Sequence, residues 1–177
     1  MRRLTGGMVL GAVVTLLAAA PARAQYVYFG GGANIPMSTF KDDFKTGWIV
    51  SGGLGTEVGD KGLWVEGEGW YFNNKAKASC IGCGDAKAWS ALGALGYDLM
   101  HGKKWTPYLL GGAGVMHPKG GKTSFAYSAA LGASFQAGSS VNVFLEARWL
   151  AGTGDNSDAK MVPITAGLAI HFGKKKM

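Results

Sequence analysis

The feature that most constrains this chain is the alternation in its last long segment, residues 161–172. Val162, Ile164, Ala166, Leu168, Ile170 and Phe172 fall on one parity, and Pro163, Thr165, Gly167, Ala169 and His171 on the other. One face is oily and the other small or polar. A period of two sustained over about eleven residues is a strand signal, and this pairing of faces suits a wall with lipid on one side and a packed lumen on the other.

The start of the chain carries a different signal. Arg2 and Arg3 precede an apolar run from Met8 to Ala20, followed by Pro21-Ala22-Arg23-Ala24. This order is a basic region, a short hydrophobic region and an Ala-x-Ala cleavage site. The apolar run is about thirteen residues, too short for a spanning helix, which needs roughly twenty. Residues 1–24 are therefore expected to be a cleaved signal peptide and residues 25–177 a single domain. The paired arginines lack the rest of a twin-arginine motif, and no cysteine follows the cleavage site to mark a lipoprotein.

Removing the leader leaves fifteen basic residues against eleven acidic ones, a formal charge of +4. The lysines fall in expected loops and the tail, and no basic stripe interleaves with aromatics. Nucleic-acid binding is therefore not expected. A basic rim could suit anionic lipid headgroups or lipopolysaccharide phosphates, but a solvated surface is the stronger expectation. Glycine makes up 27 of the 153 mature residues, but it is interleaved with Trp, Tyr, Leu and Val at strand period, unlike a disordered linker. In strands, glycine fits the sharp curvature and close backbone approach of a small barrel.

Eight strands can be read: residues 26–35, 48–58, 63–73, 88–99, 105–116, 123–136, 141–150 and 161–172. Trp48, Val50, Leu54 and Val58 oppose Ser51, Gly53, Gly55 and Glu57, and Val143, Leu145, Ala147 and Trp149 oppose Asn142, Glu146 and Arg148. In residues 63–73 the parity is ambiguous, because Trp64 and Trp70 share a face with Glu66 and Glu68. The gaps 36–46, 59–62, 74–87, 100–104, 117–122, 137–140 and 151–160 run long, short, long, short, medium, short, long. That segregation matches a transmembrane barrel with tight periplasmic turns and long outer loops. The polar parity is dominated by Gly, Ala and Ser, which pack a lumen and make a poor solvated surface. Trp48, Tyr71, Trp89, Trp105, Phe125, Phe135, Trp149 and Phe172 mostly fall near strand ends on the oily parity, as aromatic girdles do.

With its leader, its opening Tyr26-Val27-Tyr28-Phe29-Gly30-Gly31-Gly32 strand and its Gly-rich amphipathic strands, the chain resembles the small eight-stranded outer-membrane β-barrel family that includes the OmpA membrane domain and OmpX. Thr165, Gly167, Ile170 and Phe172 resemble that family's C-terminal assembly signal; the family usually ends on the aromatic, whereas here Gly173, three lysines and Met177 follow. The resemblance implies an all-β, eight-stranded antiparallel up-and-down transmembrane β-barrel. It also implies the outer membrane of a Gram-negative-type bacterium, surrounding lipids and lipopolysaccharide, and contact with the barrel-assembly machinery during biogenesis.

Glu57, Glu66, Glu68, Asp98, Glu146 and Arg148 are the candidate lumen charges. Glu66 and Glu68 lie about 7 Å apart along one face, a spacing that could suit an acid–base pair. An eight-stranded interior is just wide enough to be filled by side chains, so the stronger expectation is that Arg148 bridges the acids in a polar plug. Cys80 and Cys83 lie in the longest expected loop, where an exported chain favours a local disulfide over a redox or metal pair. No cofactor or metal is implied. His101, His117 and His171 have no serine partner evident from register, so the chain is not expected to be an enzyme. The expected role is structural or the display of surface loops, including the mixed stretch 40–45. The alternatives are a narrow channel for small or hydrophobic solutes and, less favoured, a lipid-modifying enzyme.

Overall fold

The computed structural model describes residues 25–59 and 61–172, so the expected signal peptide and the basic tail lie outside the described residues. Eight strands form one closed barrel in sequence order: β1 (Gln25–Pro36), β2 (Gly47–Val58), β3 (Leu63–Asn74), β4 (Ala86–Asp98), β5 (Trp105–Pro118), β6 (Ser124–Gln136), β7 (Val141–Gly152) and β8 (Lys160–Phe172). Every neighbouring pair is antiparallel, and β1 closes on β8 from Gln25↔Phe172 to Pro36↔Met161. Closure pairs the backbone groups that an open sheet would leave exposed at its edges.

The expected strands are all present, with ends moved by one or two residues. Pairing extends β1, β3, β5 and β7 by a residue or two at the long-loop end, since a ladder continues wherever two backbones still face one another. The turns after β2, β4 and β6 lie at one end with both barrel termini, and the longer loops lie at the other. In the first turn, Gly59 adopts a φ of +74°, a left-handed conformation that glycine reaches without penalty. The first loop contains one helical turn, α1 (Phe40–Asp43), and Phe40 packs against the lumen core. The stretch expected to be a solvated or partner-facing loop therefore covers the barrel end.

Large apolar side chains, including Phe29, Leu54, Leu95, Leu131, Leu145 and Leu168, point outward and stay exposed around the barrel. The outward aromatics gather towards the strand ends, with Trp48 against Tyr71 and Tyr127 against Trp149 at the long-loop end. Inside, bulky side chains lie over glycines of the adjacent strand. Tyr26 is paired with Gly55, Trp64 with Gly96, and Tyr108 with Gly132. A Cβ on any of these glycines would enter the facing ring. Much of the glycine content is thus explained by ring placement in a narrow lumen.

Candidate functional site

The lumen divides into two halves. Towards the long loops it is an apolar plug, in which Ile49, Phe72, Met116, Leu150 and Met161 are fully or almost fully buried. Each sits on the inward parity near the loop end of its strand. The expected polar plug therefore accounts for only part of the filling. Burying apolar side chains here excludes water without the penalty of an unpaired polar group.

Below this plug lies Arg148, only 2 % exposed. Its Nε donates to Glu146 Oε1 at 2.8 Å, its Nη1 donates to Glu68 Oε1, and the same nitrogen reaches Ser128 Oγ at 3.4 Å. The guanidinium carbon stands 4.5 Å from the Trp70 ring centroid. A buried guanidinium is tolerated only when paired and hydrogen-bonded, and this one has two carboxylates and an aromatic face.

The remaining carboxylate oxygens are met by tyrosines in a repeated arrangement. Tyr28 Oη donates to Glu68 Oε2 at 2.9 Å, Tyr26 Oη to Glu66 Oε2 at 2.8 Å, and Tyr108 Oη to Glu146 Oε2 at 3.1 Å. In each case the two partners are separated by one strand, and the register places glycine between them: Gly53, Gly55 and Gly132. The phenol ring lies across that glycine and its hydroxyl reaches the acid beyond. Asn34 and Asn74 repeat the arrangement over Gly47 near the loop end, with Asn34 Nδ2 donating to Asn74 Oδ1 at 2.7 Å.

Of the six candidate lumen charges, Glu68, Glu146 and Arg148 therefore meet directly, and Glu66 adjoins them through its own tyrosine. Glu57 and Asp98 lie at the turn-end mouth instead. Asp98 accepts a 3.1 Å hydrogen bond from Trp64 Nε1 and stands 3.6 Å from His101 Nδ1. The ambiguity of β3 resolves with Trp64, Glu66, Glu68 and Trp70 all inward. Tyr26, Tyr28, Tyr108 and Phe144 are lumen residues that the sequence reading did not single out. Inward tyrosines two strands from an inward glutamate, with glycine between, are the signal that could have found them.

Between the Arg148 layer and the turn-end mouth is a half-open vestibule of about 100 Å³. Tyr26, Tyr28, Trp64, Tyr108 and Phe144 supply aromatic walls, and Glu66, Glu146 and Arg148 reach its surface. Lys103 and Lys104 stand at the rim with Glu57 and Asp98. Among the described residues no group of three or more His, Cys, Asp or Glu side chains is placed to hold a metal.

The other expected sites are dispersed. Thr165 is buried in the lumen, Gly167 makes room for the Phe144 ring, and Ile170 and Phe172 face outward. Cys80 and Cys83 are joined by a disulfide in the loop after β3, with Cα atoms 5.5 Å apart. His117 Nδ1 lies 2.9 Å from Thr123 Oγ1 at the loop end, and the His171 ring lies tilted against Tyr26, 5.4 Å between centroids, at the opposite mouth.

The family model for the outer membrane protein β-barrel domain matches residues 9–172. Among solved structures, Neisserial surface protein A aligns with a TM-score of 0.71 at 19% identity, over 84% of this chain and 99% of that one. The outer membrane enzyme PagL aligns with a TM-score of 0.52 at 15% identity, over 82% of this chain and 98% of that one. A designed transmembrane β-barrel gives 0.51 at 16% identity, over 86% of this chain and 98% of that one. At these identities the likeness is one of fold. No curated protein sequence matches the chain.

Proposed function

Because the chain belongs to the outer membrane protein β-barrel domain family, we propose that it serves as a sealed bacterial outer-membrane scaffold that presents surface loops. The observation that carries this reading is the apolar plug beneath the long loops. Ile49, Met116, Leu150 and Met161 fill the lumen there, and Phe40 of the first loop packs onto them. With the turns and termini on the periplasmic side, as in barrels of this kind, the plug lies at the extracellular end. Solutes would have to displace close-packed side chains to cross. The loops 37–46, 75–85, 119–123 and 153–159 are then the parts available to a partner. The outer apolar belt faces lipid, and Lys41, Lys45, Lys75 and Lys119 at the extracellular rim suit lipopolysaccharide phosphates.

The deciding experiment is solute leakage from liposomes carrying the refolded mature chain, using material that migrates compactly unboiled and shifts on boiling. Tight liposomes are expected. Leakage graded by solute size would favour the second reading, a narrow conduit, for which the open periplasmic vestibule is the one supporting feature. Catalysis has weaker support. His101 stands by a carboxylate and His117 by a hydroxyl at opposite barrel ends, so neither imidazole has both partners that a hydrolase uses.

A further inference from the structure

We propose that the periplasmic vestibule is a binding site for a small organic cation, an amine or quaternary ammonium group held by Glu66 between aromatic walls. This goes beyond the scaffold role, because it gives the inner half of the barrel a ligand of its own.

The inference starts from charge. Deep in the lumen, three carboxylates, Glu66, Glu68 and Glu146, face one guanidinium, Arg148. Arg148 is already engaged by Glu68, Glu146, Ser128 and Trp70. Glu66 shares none of these direct contacts: its Oε2 accepts from Tyr26, while the hydrogen bonds of Arg148 go to Glu68, Glu146 and Ser128 and its charge reaches Glu66 only across space. The residue is only 7% exposed, yet it forms part of the vestibule surface. A carboxylate so withdrawn from bulk water is favoured in its charged form when a cation comes to stand directly beside it. The rim does not oppose entry, since Lys103 and Lys104 there are offset by Glu57 and Asp98.

The walls point to an organic cation and away from a bare ion. Tyr26, Trp64 and Tyr108 form a continuous aromatic surface, with Trp64 edge-on to Tyr26 at 6.1 Å and to Tyr108 at 5.8 Å between ring centroids. The phenol protons of Tyr26, Tyr28 and Tyr108 are donated to carboxylates, which leaves ring faces and oxygen lone pairs for a ligand. An alkylammonium group is attracted by such faces, whereas a small metal ion needs several oxygen ligands converging at one point. A cavity of about 100 Å³ admits a small organic molecule, and the apolar plug makes the vestibule blind, so ligand enters and leaves from the periplasm.

The test uses the refolded mature chain in octyl glucoside micelles and two probes of matched shape, choline and its uncharged isostere 3,3-dimethylbutan-1-ol. Binding is followed by ligand-observed nuclear magnetic resonance and calorimetry. Choline is expected to bind saturably, and the isostere at least about tenfold more weakly. Glu66→Gln, which keeps an oxygen for Tyr26, is expected to reduce choline to the isostere's level while the barrel still shows its heat-dependent shift in migration. Equal binding of the two probes, no saturable choline binding, or unchanged choline affinity in Glu66→Gln would each overturn the proposal. If the variant does not reach the folded form, the comparison of the two probes on the unaltered chain decides alone.

Discussion

Tyr28 on β1 hydrogen-bonds Glu68 on β3 at 2.9 Å, and the residue lying beneath that bond, on the strand between them, is Gly53. The bond skips a strand, so it depends on the middle strand offering no side chain. The same dependence holds for Tyr26, Gly55 and Glu66, and for Tyr108, Gly132 and Glu146. Each glycine thus sets where a phenol lies, and each phenol satisfies one oxygen of a buried acid.

Gly53→Ala tests this dependence. An added Cβ would come within 2.5 Å of the Gly67 carbonyl oxygen and 2.6 Å of Tyr28 Cε1, closer than such atoms approach, so both the β3 backbone and the ring must shift and the bond to Glu68 is disturbed. The expected loss is about 1–3 kcal/mol, as for other overpacked cores. Gly93→Ala is the control, since nothing lies within 4 Å of its added Cβ. Urea unfolding of both variants in the same lipid should show a lowered midpoint for Gly53→Ala and little change for Gly93→Ala.

Arg148→Met should be more damaging. It removes the cation shared by Glu68 and Glu146 and leaves two buried carboxylates facing one another. Breaking a buried pair on one side costs roughly 3–5 kcal/mol, most of it from the charge left behind. Adding Glu68→Gln and Glu146→Gln to the same chain should recover much of that loss. Unchanged stability in Arg148→Met alone would mean that the ion-pair layer does not hold the barrel together.

These residues also show what a sequence reader can and cannot see. Along β8 the alternation of Ile164, Leu168, Ile170 and Phe172 with Thr165 and His171 is steep, and the outward and inward sides follow from it directly. Along β3 it fails, because Trp64 and Trp70 are as apolar as the outward Val65 and Tyr71. Only the register with Gly96 and the stacking of Arg148 on Trp70 resolve that face. The apolar plug was hidden for a similar reason. Ile49, Phe72, Met116 and Leu150 are scattered over four strands and share no local motif; what unites them is their height in the barrel, a property of strand stagger. Arg148 and its acids were legible because a charge on an inward parity has few ways to survive, but their tyrosine partners lie two strands away.

Asn74→Ala probes the lid at the long-loop end. Asn74 Nδ2 donates to the Asn34 carbonyl at 3.0 Å and to the Lys45 carbonyl at 2.8 Å, and so ties the end of the first loop to β1 and β3. Its loss leaves the buried Asn34 carbonyl unmet, a penalty of roughly 1–3 kcal/mol at most, while the carbonyl of exposed Lys45 can turn to water. The first effect expected is local: faster hydrogen exchange and faster tryptic cleavage at Lys41 and Lys45, with the β-ladder still protected. Uniform loosening of all strands would instead make the asparagine pair a determinant of the whole barrel.

Replacing Cys80 and Cys83 with serine should leave the barrel almost untouched. The disulfide joins residues three apart in an exposed loop, so it restricts little of the unfolded chain, and no strand pairing depends on it. The expected loss of unfolding free energy lies at the low end of the roughly 0–5 kcal/mol that a disulfide supplies. Its effect should appear at the loop tip, where Ile81 is almost fully exposed, as faster proteolysis of the reduced form.

The orientation of the outer face can be tested by depth. Leu131 lies near the middle of β6, faces outward and is 58% exposed, while Phe135 on the same face lies close to the short turn after β6. If this belt meets hydrocarbon, Leu131→Arg places a guanidinium near the bilayer midplane, where the expected penalty is about 2–4 kcal/mol. Phe135→Arg carries the charge to the interface, where the penalty falls to about 0–1 kcal/mol. The comparison is made by reversible unfolding from liposomes, with both proteins folded in the same lipid. In a soluble barrel the order would vanish, because a charge on a solvated wall costs little at any height; a clear gap between the two substitutions therefore reports lipid contact along β6 itself.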